Sequence, residues 1–302
     1  MRRKATVVAL IAVVAVSLIL VWLLRPEKMS AGELQGHLNS LTQGEHTDDL
    51  SFIQEQAGEL ARQLSLRTEK QEEFTEELTD WYAVSRDVDV LLVYNTGGFG
   101  GSAMSIDPEW PSILQGIQEH LSEKWGYSST IVEHRRAEYT AIGFIKSVND
   151  IRTEYSSEAP LLAAKLSFIN KYNPEVKIIV TGRSFGAVFA NEVMRLLPQN
   201  DTFYSIQAGR YPRYKPSFKS DHRTLLIENN GEQPDSWSQG NLWAIMQANL
   251  GHPPSSSPSE EGSLQILSWY LIVPGHVYTW ELPGLRTDIC TFLDTAFSGR
   301  QE

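Results

Sequence analysis

The chain has 302 residues with 37 Asp and Glu against 26 Lys and Arg, a formal net charge of -11. That balance excludes a nucleic-acid binder working by phosphate neutralisation and a basic face lying on anionic lipid. Its 41 % apolar and 21 % charged residues are ordinary for a globular chain, a lone cysteine, Cys290, rules out an intrachain disulfide, and no zinc-like Cys/His cluster appears in the sequence.

Met1-Arg2-Arg3-Lys4 opens the chain, and Ala5 to Leu24 follows as an uncharged apolar stretch about long enough to cross a bilayer as a helix. A secretory signal peptide shares the basic start, but its apolar core is shorter and ends at a small-x-small cleavage site. Here bulky Leu18 to Leu24 runs straight into Arg25-Pro26-Glu27-Lys28. The expectation is an uncleaved signal anchor, and the excess of basic residues before the span puts the N-terminus in the cytoplasm and the rest outside.

Met29 to Arg86 is polar and rich in Glu and Gln. Leu50, Ile53, Ala57, Leu60, Ala61 and Leu64 fall at helical spacings, and Phe74, Leu78, Trp81 and Tyr82 continue the pattern, so two or three amphipathic helices are expected. Periodicity does not separate a stalk, a dimerising hairpin and a cap packed on the following domain.

Val88 to Tyr94 then reads as a buried strand that opens directly into Asn95-Thr96-Gly97-Gly98-Phe99-Gly100-Gly101-Ser102. Glycines let backbone approach a ligand and turn its N–H groups inward, and no Gly-Lys-Ser/Thr or Gly-x-Gly-x-x-Gly follows to make this a phosphate loop. Thr96, Gly97 and Gly98 are the candidate N–H donors to an oxyanion. Pro111 to Lys124 reads as a helix, Thr130 to Glu133 as a short strand, and Ala159 to Asn170 as a second helix.

Lys177-Ile178-Ile179-Val180-Thr181-Gly182-Arg183-Ser184-Phe185-Gly186-Ala187 is the most informative stretch. An apolar β-branched run breaks into Gly-x-Ser-x-Gly and continues as a helix that stops at Pro198. A serine hydroxyl is a weak nucleophile, so it is presented on a sharp strand-to-helix turn with small neighbours and with N–H groups aimed at the developing charge. Ser184 is the candidate nucleophile and Phe185 the first oxyanion donor.

Phe203 to Ile206 reads as the next strand. The basic run Arg210-Tyr211-Pro212-Arg213-Tyr214-Lys215 follows it as a solvated loop or a border that attracts anionic groups. Arg223 to Glu228 supplies a further strand, and the loop after it offers two carboxylates, Glu232 and Asp235, to orient an imidazole. Ser236 to Leu250, with Trp237, Trp243 and Met246, fits either a lid over an acyl pocket or a core helix. The general base is expected late in the chain at His276, after the apolar run Ile266 to Val273, which reads as a last strand. His252 lies before the loop Pro253 to Pro258, and Leu285 to Phe297 reads as the closing helix.

From Asp87 to Phe297 the chain resembles the α/β-hydrolase superfamily: a glycine-rich loop before the elbow, then serine, acid and histidine in that order. The elbow looks most like those of lipase- and esterase-type members, with Arg183 and Phe185 where these often carry His and Leu. The resemblance implies a mostly parallel sheet covered by helices, acyl-enzyme chemistry on an ester or thioester, and neither metal nor organic cofactor. The division it suggests is 1–28 as anchor, 29–86 as helical stalk or cap, and 87–302 as an α/β-hydrolase domain acting on a small-molecule or lipid-like acyl substrate. A catalytically silent domain of the same fold, binding a cell-envelope ligand or partner, is the alternative.

Overall fold

The computed structural model describes residues 29–42, 49–97, 103–107, 109–136, 141–212, 214, 221–250 and 272–298. The expected span at Ala5 to Leu24 lies outside them, and among the described residues no helix is long and apolar enough to cross a membrane.

Three helices come first: α1 (Ala31–Ser40), α2 (Leu50–Gln63) and α3 (Thr68–Ser85). The Asp49 carboxylate starts α2 by accepting from Ser51 N and Phe52 N, at 3.0 and 3.3 Å, which satisfies two first-turn donors. Strands and helices then alternate: β1 (Val90–Asn95), a 3-10 turn (Met104–Ile106), α4 (Trp110–Trp125), β2 (Ser129–His134), α5 (Ala141–Arg152), α6 (Glu158–Tyr172), β3 (Lys177–Arg183), α7 (Phe185–Leu196), β4 (Phe203–Ala208) and β5 (Thr224–Ile227). Two further helices, α8 (Leu242–Asn249) and α9 (Pro283–Phe297), complete the described elements.

The strands form one parallel sheet in the order β2-β1-β3-β4-β5. The period-2 alternation of a strand buried on both faces divides the core in two. Leu91 and Val93 of β1 and Ile178 and Val180 of β3 face α1, α2, α3, α6 and α7, whereas Val90, Leu92 and Tyr94 with Ile179, Tyr204 and Ile206 face α4 and α9. The chain leaves β1 toward one edge of the sheet and β3 toward the other. Crevices at such reversals, outside the carboxyl ends of the strands, are where open α/β sheets place ligands.

Of the placements that periodicity left open for 29–86, the described helices take the one packed on the following domain. Helices α1 to α3 neither project as a stalk nor form a core of their own: Leu34, Leu38, Leu60, Leu78 and Tyr82 are buried in the same cluster as β1, β3, α6 and α7. The last strand expected over Ile266 to Val273 lies largely outside the described residues, and Ile272 and Val273, which are described, take no strand conformation. Helix α5 had no clear apolar periodicity to announce it. Helix α8 is not a core helix, because only Ile245 is buried while Leu242, Trp243, Met246 and the following Leu250 are exposed.

Because α3 shares the sheet's core, Leu78→Ala should lower the unfolding free energy of the whole protein by about 2–5 kcal/mol. Trp243→Ala, on the exposed face of α8, should change it by no more than about 0.5 kcal/mol. Urea unfolding followed by tryptophan fluorescence and circular dichroism checks both. Coincident shifts for Leu78→Ala are expected from a single core, and an unmoved main transition would restore the stalk.

Candidate active site

Strand β3 ends at Arg183, and Ser184 turns the chain into α7 with φ 57° and ψ -120°. Positive φ in a residue with a Cβ carries strain on the order of 1–3 kcal/mol, held in place by what surrounds it. Two glycines make the turn possible by close packing. A Cβ on Gly182 would stand 2.3 Å from Gly186 O, and one on Gly186 would stand 2.7 Å from Thr96 O and 3.1 Å from Asn95 O. The elbow is therefore pressed against the loop leaving β1. The ladder continues through it, since Ser184 N donates to Ala208 O at 2.9 Å and Gly209 N to Ile227 O at 2.9 Å.

The strand ends thus bring Ser184, Gly209 and the segment after β5 side by side. In that segment a short turn, closed by the Asn229–Pro234 bridge, leads to Asp235. Asp235 is fully buried. Its Oδ1 accepts from Trp237 N at 2.8 Å and Ser238 N at 3.3 Å, and its Oδ2 receives two further partners, His276 Nδ1 at 2.7 Å and the Tyr278 hydroxyl at 2.5 Å. Burial alone pushes a carboxyl group up. Here the hydrogen bond and charge of His276, the Tyr278 hydroxyl and the Trp237 N–H outweigh it and hold Asp235 below the usual Asp value. Tyr278 moves the other way, raised first by burial and then by the Asp235 charge and their hydrogen bond, so its hydroxyl keeps its proton and remains a donor. An ionised carboxylate only accepts, so a neutral His276 carries its hydrogen on Nδ1 and leaves Nε2 as an acceptor.

Of the two carboxylates offered by the sequence, Asp235 is the one on the ring. Glu232 is exposed at the tip of the turn, where its N–H is held by Asn230 Oδ1 at 3.1 Å. Thr96 is fully buried and its carbonyl accepts from Arg136 at 2.6 Å, Gly97 lies against Arg183, and Gly98 is outside the described residues. Phe185 opens α7, and its ring and that of His276 flank Trp237, with centroids 5.9 and 6.4 Å away. Tyr211 closes this aromatic wall at 5.4 Å from Phe185 and 5.6 Å from Trp237. The Ser184 hydroxyl and the His276 ring, among the described residues, form no hydrogen bond with one another. His120 is engaged with Asp294 and His222 with Asp201, at 2.9 and 3.4 Å, His134 is buried among Trp81 and Phe189, and His252 lies outside the described residues.

Several residues at the site carried no role in the sequence reading. Gly209 has φ +59°, and a Cβ there would stand 2.6 Å from both Asp235 Oδ2 and His276 Cε1. Gly275 has φ +78°, and a Cβ there would stand 2.2 Å from Pro234 O. It lets the histidine loop lie flat on the acid loop, where Ser236 N donates to Pro274 O at 2.9 Å. Arg183 pairs with Glu109 and, at 3.6 Å, with Asp107. A glycine directly after a strand, as at Gly209 behind β4, was the available signal; the carboxylates of Arg183 had none. No group of three or more His, Cys, Asp or Glu among the described residues is placed to hold a metal ion.

No family model matches the chain, and no curated protein does. Among solved structures it is similar to the cutinase of Trichoderma reesei, determined in complex with a C11Y4 phosphonate inhibitor. The identity is 14 %, the match covers 62 % of this chain and 86 % of the cutinase, and the TM-score is 0.38. What stands without further argument is an α/β fold whose parallel sheet is flanked by helices.

Asp235 titrates below its unfolded value of about 3.9, so the unfolded chain binds more protons between the two values. The stability Asp235 contributes is then fully present above about pH 4 and is lost as pH falls through the folded-state value. In urea titrations from pH 6 to pH 3, the stability gap between the native protein and Asp235→Asn should narrow as pH falls. A gap that widened would show that Asp235 is not held ionised.

Proposed function

We propose that the protein is a membrane-anchored serine hydrolase of the α/β-hydrolase type, cleaving a carboxylic ester or thioester through an acyl-enzyme. The observation that carries this reading is the buried Asp235 bonded to His276 Nδ1, next to a serine held at φ 57° on a strand-to-helix turn. That pairing leaves Nε2 as the acceptor nitrogen of a neutral His276.

In the proposed reaction Ser184 Oγ attacks the acyl carbonyl while His276 takes its proton. His276 returns the proton to the leaving group, and water repeats the sequence on the acyl-enzyme to release the acid. Asp235 holds the imidazole tautomer and stabilises the imidazolium. The N–H of Phe185, at the start of α7, and the N–H groups of the Thr96–Gly98 loop stabilise the oxyanion. In unliganded sites catalytic hydrogen bonds are often long and tighten in the complex. The wall of Phe185, Tyr211 and Trp237 suits an apolar acyl or alcohol portion. Ala5 to Leu24 serves as the anchor, with the hydrolase domain on the extracytoplasmic side.

The test is labelling of the full-length protein with a fluorophosphonate probe, which requires an activated serine. Labelling is expected for the native protein and should vanish in Ser184→Ala and in His276→Ala. Asp235→Asn should slow it severely, up to about 10⁴-fold, because an amide no longer enforces the productive tautomer. A folded protein that does not label points instead to a silent domain that binds a cell-envelope ligand or partner.

A further inference from the structure

The geometry points to Tyr278 as a positioning residue of the proposed hydrolase: its hydroxyl shares Asp235 Oδ2 with His276, from a perch that Glu109 and Arg183 fix to the elbow. This rests on the hydrolase reading above.

The two ends of the Tyr278 residue make separate contacts. Its side-chain hydroxyl donates to Asp235 Oδ2 at 2.5 Å, on the same oxygen that meets His276 Nδ1 at 2.7 Å. Its backbone N–H donates to Glu109 Oε2 at 3.0 Å, and the same Glu109 oxygen pairs with the guanidinium of Arg183, the residue immediately before Ser184. A continuous path of hydrogen bonds therefore runs from the elbow to the acid without passing through the histidine. The Tyr278 ring is fully buried and packs edge-on against His276, with centroids 5.8 Å apart and planes at 76°. It has no exposed face and little freedom to be anything other than a support.

Two donors on one oxygen compete. A phenol held on Oδ2 draws negative charge from the carboxylate and lowers its basicity, so the proton that His276 takes up stays on the imidazolium instead of passing to Asp235. It also fixes the direction in which Oδ2 presents its remaining lone pair, and with it the tilt of the imidazole. The groups that face this pair are His276 and Tyr278 of the histidine loop, Asp235 and Glu228 from the segment after β5, Arg183 at the end of β3, and Glu109 before α4. Tyr278→Phe removes the competing donor and leaves the ring. Oδ2 then meets the imidazole with its full negative charge and without the phenol that sets its direction, so the geometry of the pair loosens and the acid limb of the activity moves to higher pH.

The experiment follows the rate of fluorophosphonate labelling of the full-length protein from pH 5 to 9. Native protein, Tyr278→Phe and Tyr204→Phe are compared. Tyr204 is a buried tyrosine of the same core whose hydroxyl bonds Ala296 O at 3.1 Å, away from the site. The expected result is labelling about tenfold slower in Tyr278→Phe, the scale of one hydrogen bond to a charged group. Its acid limb should lie at higher pH, with no displacement in Tyr204→Phe. A native protein that labels while Tyr278→Phe matches it in rate and profile overturns the role of Tyr278 and leaves the hydrolase reading standing. A native protein that does not label overturns both. Should Tyr278→Phe fail to fold, proton NMR of the native protein decides. Two exchange-protected downfield protons with a mutual Overhauser effect, His276 Nδ1–H and Tyr278 Oη–H, are expected, and a hydroxyl proton that exchanges freely overturns the proposal.

Discussion

A carboxylate with no access to solvent, Asp235, is the constraint around which this end of the molecule is arranged. Left without partners, a buried charge costs several kcal/mol or is neutralised by taking up a proton. Asp235 instead collects donors from its own loop, Trp237 N and Ser238 N, and from the loop that carries His276 and Tyr278. Satisfying the charge and joining the two loops are thus one event. The glycines around it follow from the same demand, since Gly209 leaves room beneath the Asp–His pair and Gly275 lets the second loop lie on the first.

The sheet supplies the frame for that pairing. Parallel strands with their carboxyl ends in register set Ser184, Gly209 and the start of the acid loop one strand apart. Only backbone hydrogen bonds are needed to fix those spacings, so the side chains at the strand ends are released for chemistry. On the opposite flank, the reversal of strand order between β1 and β3 lets the Thr96 loop meet the elbow directly. Helices α1 to α3 add a layer to one face and share its core, so the frame extends well upstream of the first strand.

Much of this could be read from the chain because it depends on local pattern. Strands buried on both faces show as continuous apolar runs, and Val90–Asn95, Lys177–Arg183 and Phe203–Ala208 lie where such runs occur. Ser184 announces itself because the turn that presents it requires glycines at fixed offsets. Interactions that join distant segments leave no such trace. Arg183 and Glu109 are 74 positions apart, and nothing near Arg183 names its partner. The choice between Asp235 and Glu232 depended on how a six-residue turn folds back through the Asn229–Pro234 bridge. Likewise, the spacing of Leu60 and Leu78 marks an apolar face on α2 and α3 without saying that it meets this sheet.

The contact between Gly186 and the carbonyl of Thr96 has a consequence for how such a molecule can be altered. Two backbone segments that approach with no side chain between them behave as a single part, although 90 residues separate them in sequence. Grafting a new loop after β1, or importing an elbow from another scaffold, would bring together two surfaces never shaped for each other. Variation is easier where side chains form the contact, as at the wall of Phe185, Tyr211 and Trp237. The architecture therefore separates a pair of segments that must be exchanged together from a set of rings that can be changed one at a time.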